Sequence, residues 1–147
     1  MRDRASWPTV DQFLSLPNEE LGKVDPVVMN LVVAKGIPSL ATLDIDHYVR
    51  LAAQWAADIE RSIPAADANF SRRPDLWQND LDFSRLALVW WYVDEVLRIS
   101  YREDQRELKE VLYTNPSDLF LNGVMDTRQG TCGNMALLQV ALCWRLR

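Results

Sequence analysis

The sequence predicts an all-α fold. Apolar residues recur at three- and four-residue spacing in successive segments. Cap residues and helix breakers sit between those segments. No stretch alternates apolar and polar residues as a half-buried strand would. At 147 residues the chain fits one domain and can bury a real core. No internal repeat or low-complexity tract divides it.

The first element is "TVDQFLSL", a short helix capped by Thr9 with Val10, Phe13 and Leu14 apolar. In "DPVVMNLVVAKG", Asp25 fits the N-cap, Pro26 the first turn and Gly36 the C-terminal stop. The segment "LDIDHYVRLAAQWAADIERSIP" is the best-formed helix of this half. Asp44 caps it, Tyr48, Leu51, Ala52, Trp55 and Ile59 form its stripe, and Pro64 is expected to end it. Residues 65–79 read as a long polar loop with a helical turn near Leu76.

A second long helix is expected over "DFSRLALVWWYVDEVLRISYRED". Leu86, Val89, Trp90, Val93, Val96 and Leu97 cover more than one face, which predicts deep burial. "DQRELKEVLY" continues it after a kink or forms a separate turn. A short helix follows Pro116, with Leu119, Phe120 and Val124 apolar and Gly130 as its breaker. The final helix runs from about Thr131 and is apolar on nearly every face, so it is expected at the centre of the fold.

Composition excludes several function classes. The net charge of −5 favours neither a nucleic-acid backbone nor an anionic membrane surface. The longest apolar run, "LALVWWYV", is far shorter than the roughly 18 residues of a membrane span. The charged start "MRDRASWPTVDQF" lacks the apolar run of a signal peptide, and the cytoplasm is the expected location. Six Trp residues are expected to act as large anchors in the packing. Cys132 and Cys143 lie on one helix about 16 Å apart, too far to pair, which agrees with a reducing compartment.

Cys132 is the residue with a candidate chemistry. Thr131 fits the N-cap, which puts Cys132 in the first helical turn. Unsatisfied N–H groups and the positive end of the helix dipole meet there, and both favour thiolate over thiol. The same N–H groups can receive an oxyanion during acyl transfer. Gly130 and Gly133 leave no side chains to block approach to the sulfur. On the residues alone two readings stand: a nucleophilic thiol, or a small residue filling a tight turn. Cys143, mid-helix among apolar neighbours, reads as core.

The stretch "SDLFLNGVMDTRQGTCGNMALLQVALCWRLR", Ser117 to Arg147, resembles the nucleophile region of bacterial transglutaminase-like proteins of the papain-like cysteine enzyme superfamily. Their pattern is a leading helix, an arginine-rich turn, Gly-x-Cys, then a long apolar helix ending in Arg-Leu-Gly. "LDIDHYVRLAAQWAADIERSI" is similar to the helical region before this core in one subgroup. The resemblance implies residues 1–115 as a helical N-terminal region and 116–147 as the start of a truncated α+β core, forming one compact unit. It implies Cys132 as nucleophile of a thiol hydrolase or acyltransferase that acts on a protein or peptide and uses no cofactor. The family's His base and Asp orienter lie downstream of the cysteine, on a sheet. The chain is therefore expected to be the N-terminal portion of a longer protein, inactive or nearly so alone. The final helix is expected to expose the face that packs on that sheet and to self-associate through it. The alternative is a non-catalytic helical module that binds a protein partner through an apolar surface.

Other chemistries find little support. His47, the one histidine, falls in the first turn of the Asp44 helix, where the dipole disfavours imidazolium while Asp44 and Asp46 favour it. It reads as a surface or capping residue. One His and two distant Cys cannot build a zinc site, and no metal is expected. Asp94–Glu95 and Glu103–Asp104, interleaved with Arg98, Arg102 and Arg106, read as a solvated, ion-paired face. Five scattered glycines form no phosphate loop. The aromatic residues have no basic groove beside them and read as core.

Overall fold

Four of the expected caps set the frame of the molecule. Thr9 forms a capping box with Gln12 at the start of α1 (Val10–Leu14). Asp25 accepts from the Val27 N–H at 2.8 Å and opens α3 (Pro26–Lys35). Asp44 accepts from the His47 N–H at 3.1 Å and opens α4 (Ile45–Arg72). Thr131 opens α8 (Cys132–Arg145). Between them lie α2 (Asn18–Leu21), α5 (Leu81–Trp91), α6 (Glu103–Arg106) and α7 (Leu121–Thr127). The structure, a computed structural model, describes residues 7–106 and 115–147. Residues 107–113 of the expected "DQRELKEVLY" segment lie outside the described residues.

The fold is all-α, with one short exception. α8 packs on α3, α4, α5 and α7, so it is the central helix its composition predicted. Leu138, Ala141 and Leu142 are its fully buried stripe, meeting a core that includes Leu31, Ile59, Val89 and Val124. Burying a side chain of this size stabilises by about 1.5–3 kcal/mol. Asn30 of α3 accepts from the Leu121 N–H at 2.8 Å, capping α7 from another helix. Arg145 of α8 pairs with Asp25 at the start of α3. No described helix is long and apolar enough to cross a membrane.

Several expectations are corrected. Pro64 does not end α4, and residues 65–72 are helix rather than loop. Tertiary contacts override the local breaker: α5 and the 3₁₀ turn Pro74–Trp77 pack on α4, and Arg85 forms a two-pronged ion pair with Asp67. The expected turn near Leu76 is that 3₁₀ turn. The second long helix stops early. A π turn, Tyr92–Val96, and a left-handed Arg98 (φ 55°) redirect the chain out of it. Two strands of two residues then appear, β1 (Ser100–Tyr101) and β2 (Gln129–Gly130), paired in parallel. They are too short to show an alternating pattern.

The tryptophans do not act as a set of buried anchors. Among the described residues Trp55 is buried, whereas Trp90 and Trp91 are about half exposed at 48% and 52%. Val96 of the π turn is exposed too, whereas Val89 and Val93 are buried, so the expected deep burial holds on one face of this segment only. The helix expected after Pro116 begins as a 3₁₀ turn, Pro116–Asp118, and restarts as α7 at Leu121. Its interruption lets the Ser117 and Phe120 carbonyls turn toward α8.

Candidate functional site at the start of the central helix

The turn that carries Cys132 is built from both ends. Arg128 caps α7 in the left-handed conformation (φ 60°), which favours glycine and is strained for arginine. Its guanidinium lies 4.8 Å over the Trp55 ring, and its carbonyl accepts from the Ser100 N–H at 3.1 Å. The chain then pairs with β1: the Arg102 N–H donates to the Gly130 carbonyl at 2.9 Å. Gly130 is buried, and a β-carbon there would lie 2.3 Å from Met135 Cγ. Its glycine therefore serves close packing against α8. The expected role, clearing a path to the sulfur, is left to the exposed Gly133.

Thr131 is fully buried and extended, at φ −118° and ψ 176°. Its Oγ1 accepts from the Gly133 N–H at 3.2 Å and donates to the Asp118 carbonyl at 2.6 Å. Its own N–H donates to Asn134 Oδ1 at 2.8 Å, completing a capping box in which Asn stands at the third helical position. Asn134 is fully buried and donates from Nδ2 to the carbonyls of Ser117 at 3.1 Å and Phe120 at 3.3 Å. Buried polar groups satisfied in this way fix one geometry, because any other leaves donors unpaired.

A second ring of contacts surrounds the first. Asp118 is buried, and its Oδ1 pairs with Arg102 Nη1 at 2.6 Å. Asp104 takes Arg102 Nε and Nη2 at 3.0 and 2.6 Å. The Asp104 hydrogen bonds, with Asp118 beside them, hold the Arg102 guanidinium well above its ordinary range, and the same contacts hold the Asp104 carboxyl below its own. Arg102 is thus a bracket between β1, β2 and the 3₁₀ turn. Gly123 closes the assembly: a β-carbon there would lie 1.9 Å from the Ser117 carbonyl oxygen.

On this support Cys132 occupies the first position of α8 and is exposed. Gly133, Ala136 and Val140 continue an exposed stripe along the helix. Cys132 lines neither a cavity of about 710 Å³ nor one of about 260 Å³ found elsewhere in the fold. No protein-family model, curated protein or solved structure matches the chain.

The other candidates fall elsewhere. His47 is exposed in the first turn of α4, its ring edge-on to Tyr48 at 5.0 Å. Cys143 is half-buried against the core, and burial pushes its thiol up. Arg98 pairs with Glu95 at 2.9 Å on the surface, as expected of a solvated face, whereas Arg102 is drawn into the site. Among the described residues no cluster of three His, Cys, Asp or Glu could hold a metal ion. Asn134, Asp118 and Arg102 were not singled out by sequence pattern as supports of the site. For Asn134 a signal existed: Thr131-x-x-Asn134 has the spacing of a capping box.

Proposed function

We propose that Cys132 is the nucleophile of a transglutaminase-like thiol hydrolase or acyltransferase. One observation carries the reading: an exposed cysteine at the first position of a 14-residue helix whose cap is buried and bonded on every side. The thiolate attacks an amide carbonyl of a protein or peptide and forms a C–S bond. The amine leaves with a proton, and the thioester is resolved by water or another amine. The positive end of the α8 dipole favours the developing oxyanion, while the Gly133 N–H is already taken by the Thr131 cap. These residues contain one histidine, His47, and none after Cys132, so base and orienter are assigned to chain outside these 147 residues. The isolated chain is expected to acylate negligibly.

A second reading, a non-catalytic helical module that binds a protein partner, draws support from the exposed Trp90, Trp91 and Val96. The rate of alkylation separates the two. At pH 7 Cys132 is expected to react with iodoacetamide faster than glutathione does under the same conditions, with Cys132→Ser as blank. A rate no greater than that of glutathione overturns the nucleophile reading and leaves the binding module.

A further inference from the structure

A cleft of about 710 Å³ lies between the N-terminal segment, the end of α3 and the start of α4. That volume is in the range of small-molecule sites, roughly 300–1,000 Å³. Its lining includes no residue of α7, β2 or α8, so it is separate from the Cys132 turn. The buried Val32 and Ile45 and the half-buried Leu43 supply apolar surface. The Trp7 indole adds a wall, fixed by its Nε1–H, which donates to Asp46 Oδ1 at 3.1 Å.

The charge lining this cleft is unbalanced. Asp44 and Asp46 line it, against Lys35, the one cationic side chain among the described residues of the lining. Asp44 Oδ1 is engaged by the His47 N–H and Asp46 Oδ1 by Trp7, which leaves each carboxylate a second oxygen. The negative end of α3 and the positive end of α4 meet at the cleft and offset each other. Among the described residues two carboxylates face one exposed ammonium, an excess of negative charge, and the face of an indole also attracts cations.

We propose that this cleft binds a small organic cation, an ammonium group carried on an apolar or aromatic body. The ammonium meets the second oxygens of Asp44 and Asp46, and the body covers Val32, Leu43, Ile45 and the Trp7 ring. The proposal is independent of the role of Cys132.

The test is calorimetric titration of the full chain at pH 7 with phenethylammonium and with 3-phenylpropionate, its anionic counterpart. Saturable binding of the amine alone is expected. Asp44→Asn keeps a good helix cap and Asp46→Asn keeps an acceptor for Trp7, so both remove charge with little change of shape. The double variant is expected to bind the amine at least about tenfold more weakly, and Lys35→Gln about threefold more tightly. Lys35 is exposed, so that gain of affinity can be read even if an aspartate variant folds poorly. Equal binding of amine and anion, no saturable amine binding, or weaker binding in Lys35→Gln overturns the proposal. So does unchanged affinity in a folded double variant.

Discussion

The helices α8 and α4 begin alike and are held differently. Each puts a side chain of chemical interest in its first turn, Cys132 in one and His47 in the other. At α8 the cap residue is wholly buried, and its partners Asn134 and Asp118 are buried as well. At α4 the cap Asp44 is exposed and carries a charge that faces a cleft. The difference teaches that a cap does not by itself immobilise the turn it opens. Burial of the cap's own partners does, because a displaced buried group has no water to fall back on. The α8 turn is preorganised by its buried cap, whereas the α4 turn packs through Ile45 and Tyr48 and leaves its cap Asp44 in solvent.

The comparison can be broken most forcefully at Gly123. Gly123→Ala puts a methyl against the Ser117 backbone, which must move, and the carbonyls that receive Asn134 move with it. A loss of about 3 kcal/mol in urea unfolding is expected. Next comes Asn134→Ala, which strands the Thr131 N–H and two carbonyls at a cost of about 2–3 kcal/mol. At the other helix Asp44→Ala is expected to cost about 1 kcal/mol and Asp44→Asn only a few tenths. Equal costs for Asn134→Ala and Asp44→Ala would remove the distinction between the two ends.

Alkaline titration sharpens the same contrast, because Tyr48 links the regions. Its hydroxyl on the first turn of α4 donates to Asp126 of α7 at 2.8 Å, just before the Cys132 turn. Burial, aided by the Asp126 contact, pushes its phenol from 10.0 to about 12. Burial and Asp58 do the same to Tyr92, also to about 12. The folded state keeps these protons where the unfolded chain releases them. Stability from both tyrosines is therefore complete below pH 10 and is lost as pH rises from 10.0 toward 12. Thermal melts of Tyr48→Phe with Tyr92→Phe are expected to show a shallower decline across that window than the parent. The smallest effect is expected at Val140, which is 57% exposed on the α8 stripe. Val140→Asp is expected to change stability by less than about 0.5 kcal/mol. Sedimentation at rising concentration is expected to show self-association in the parent and less in this variant.

What was legible in the sequence was local. Thr9, Asp25, Asp44 and Thr131 announced their helices because a cap and its target are two or three residues apart. The apolar content of α8 announced its central place. Features set by distant partners were not legible. Pro64 looked like an end because the α5 packing that carries α4 past it lies many residues on. Trp90 and Trp91 looked buried because apolar runs do not say which face meets the core. The position of Cys132 could be read from Thr131 and Gly130, but its support by Arg102 and Asp118 spans a turn, two strands and an ion pair. No periodicity joins those residues.

Pro64 has one more consequence. Its missing N–H deprives α4 of the bond to the Glu60 carbonyl, at a point where both residues are exposed. Every buried side chain of this 28-residue helix lies between Ile45 and Ile59. The remainder is held by α5, the 3₁₀ turn Pro74–Trp77 and the Asp67–Arg85 pair. Amide protons before Ile59 are thus expected to exchange with deuterium only when the whole domain opens. Those after Pro64 can exchange through a smaller opening that leaves the rest intact. By geometry α4 is one rod roughly 42 Å long. By cooperativity it is two pieces, and the seam between them is where a protease would first find extended chain.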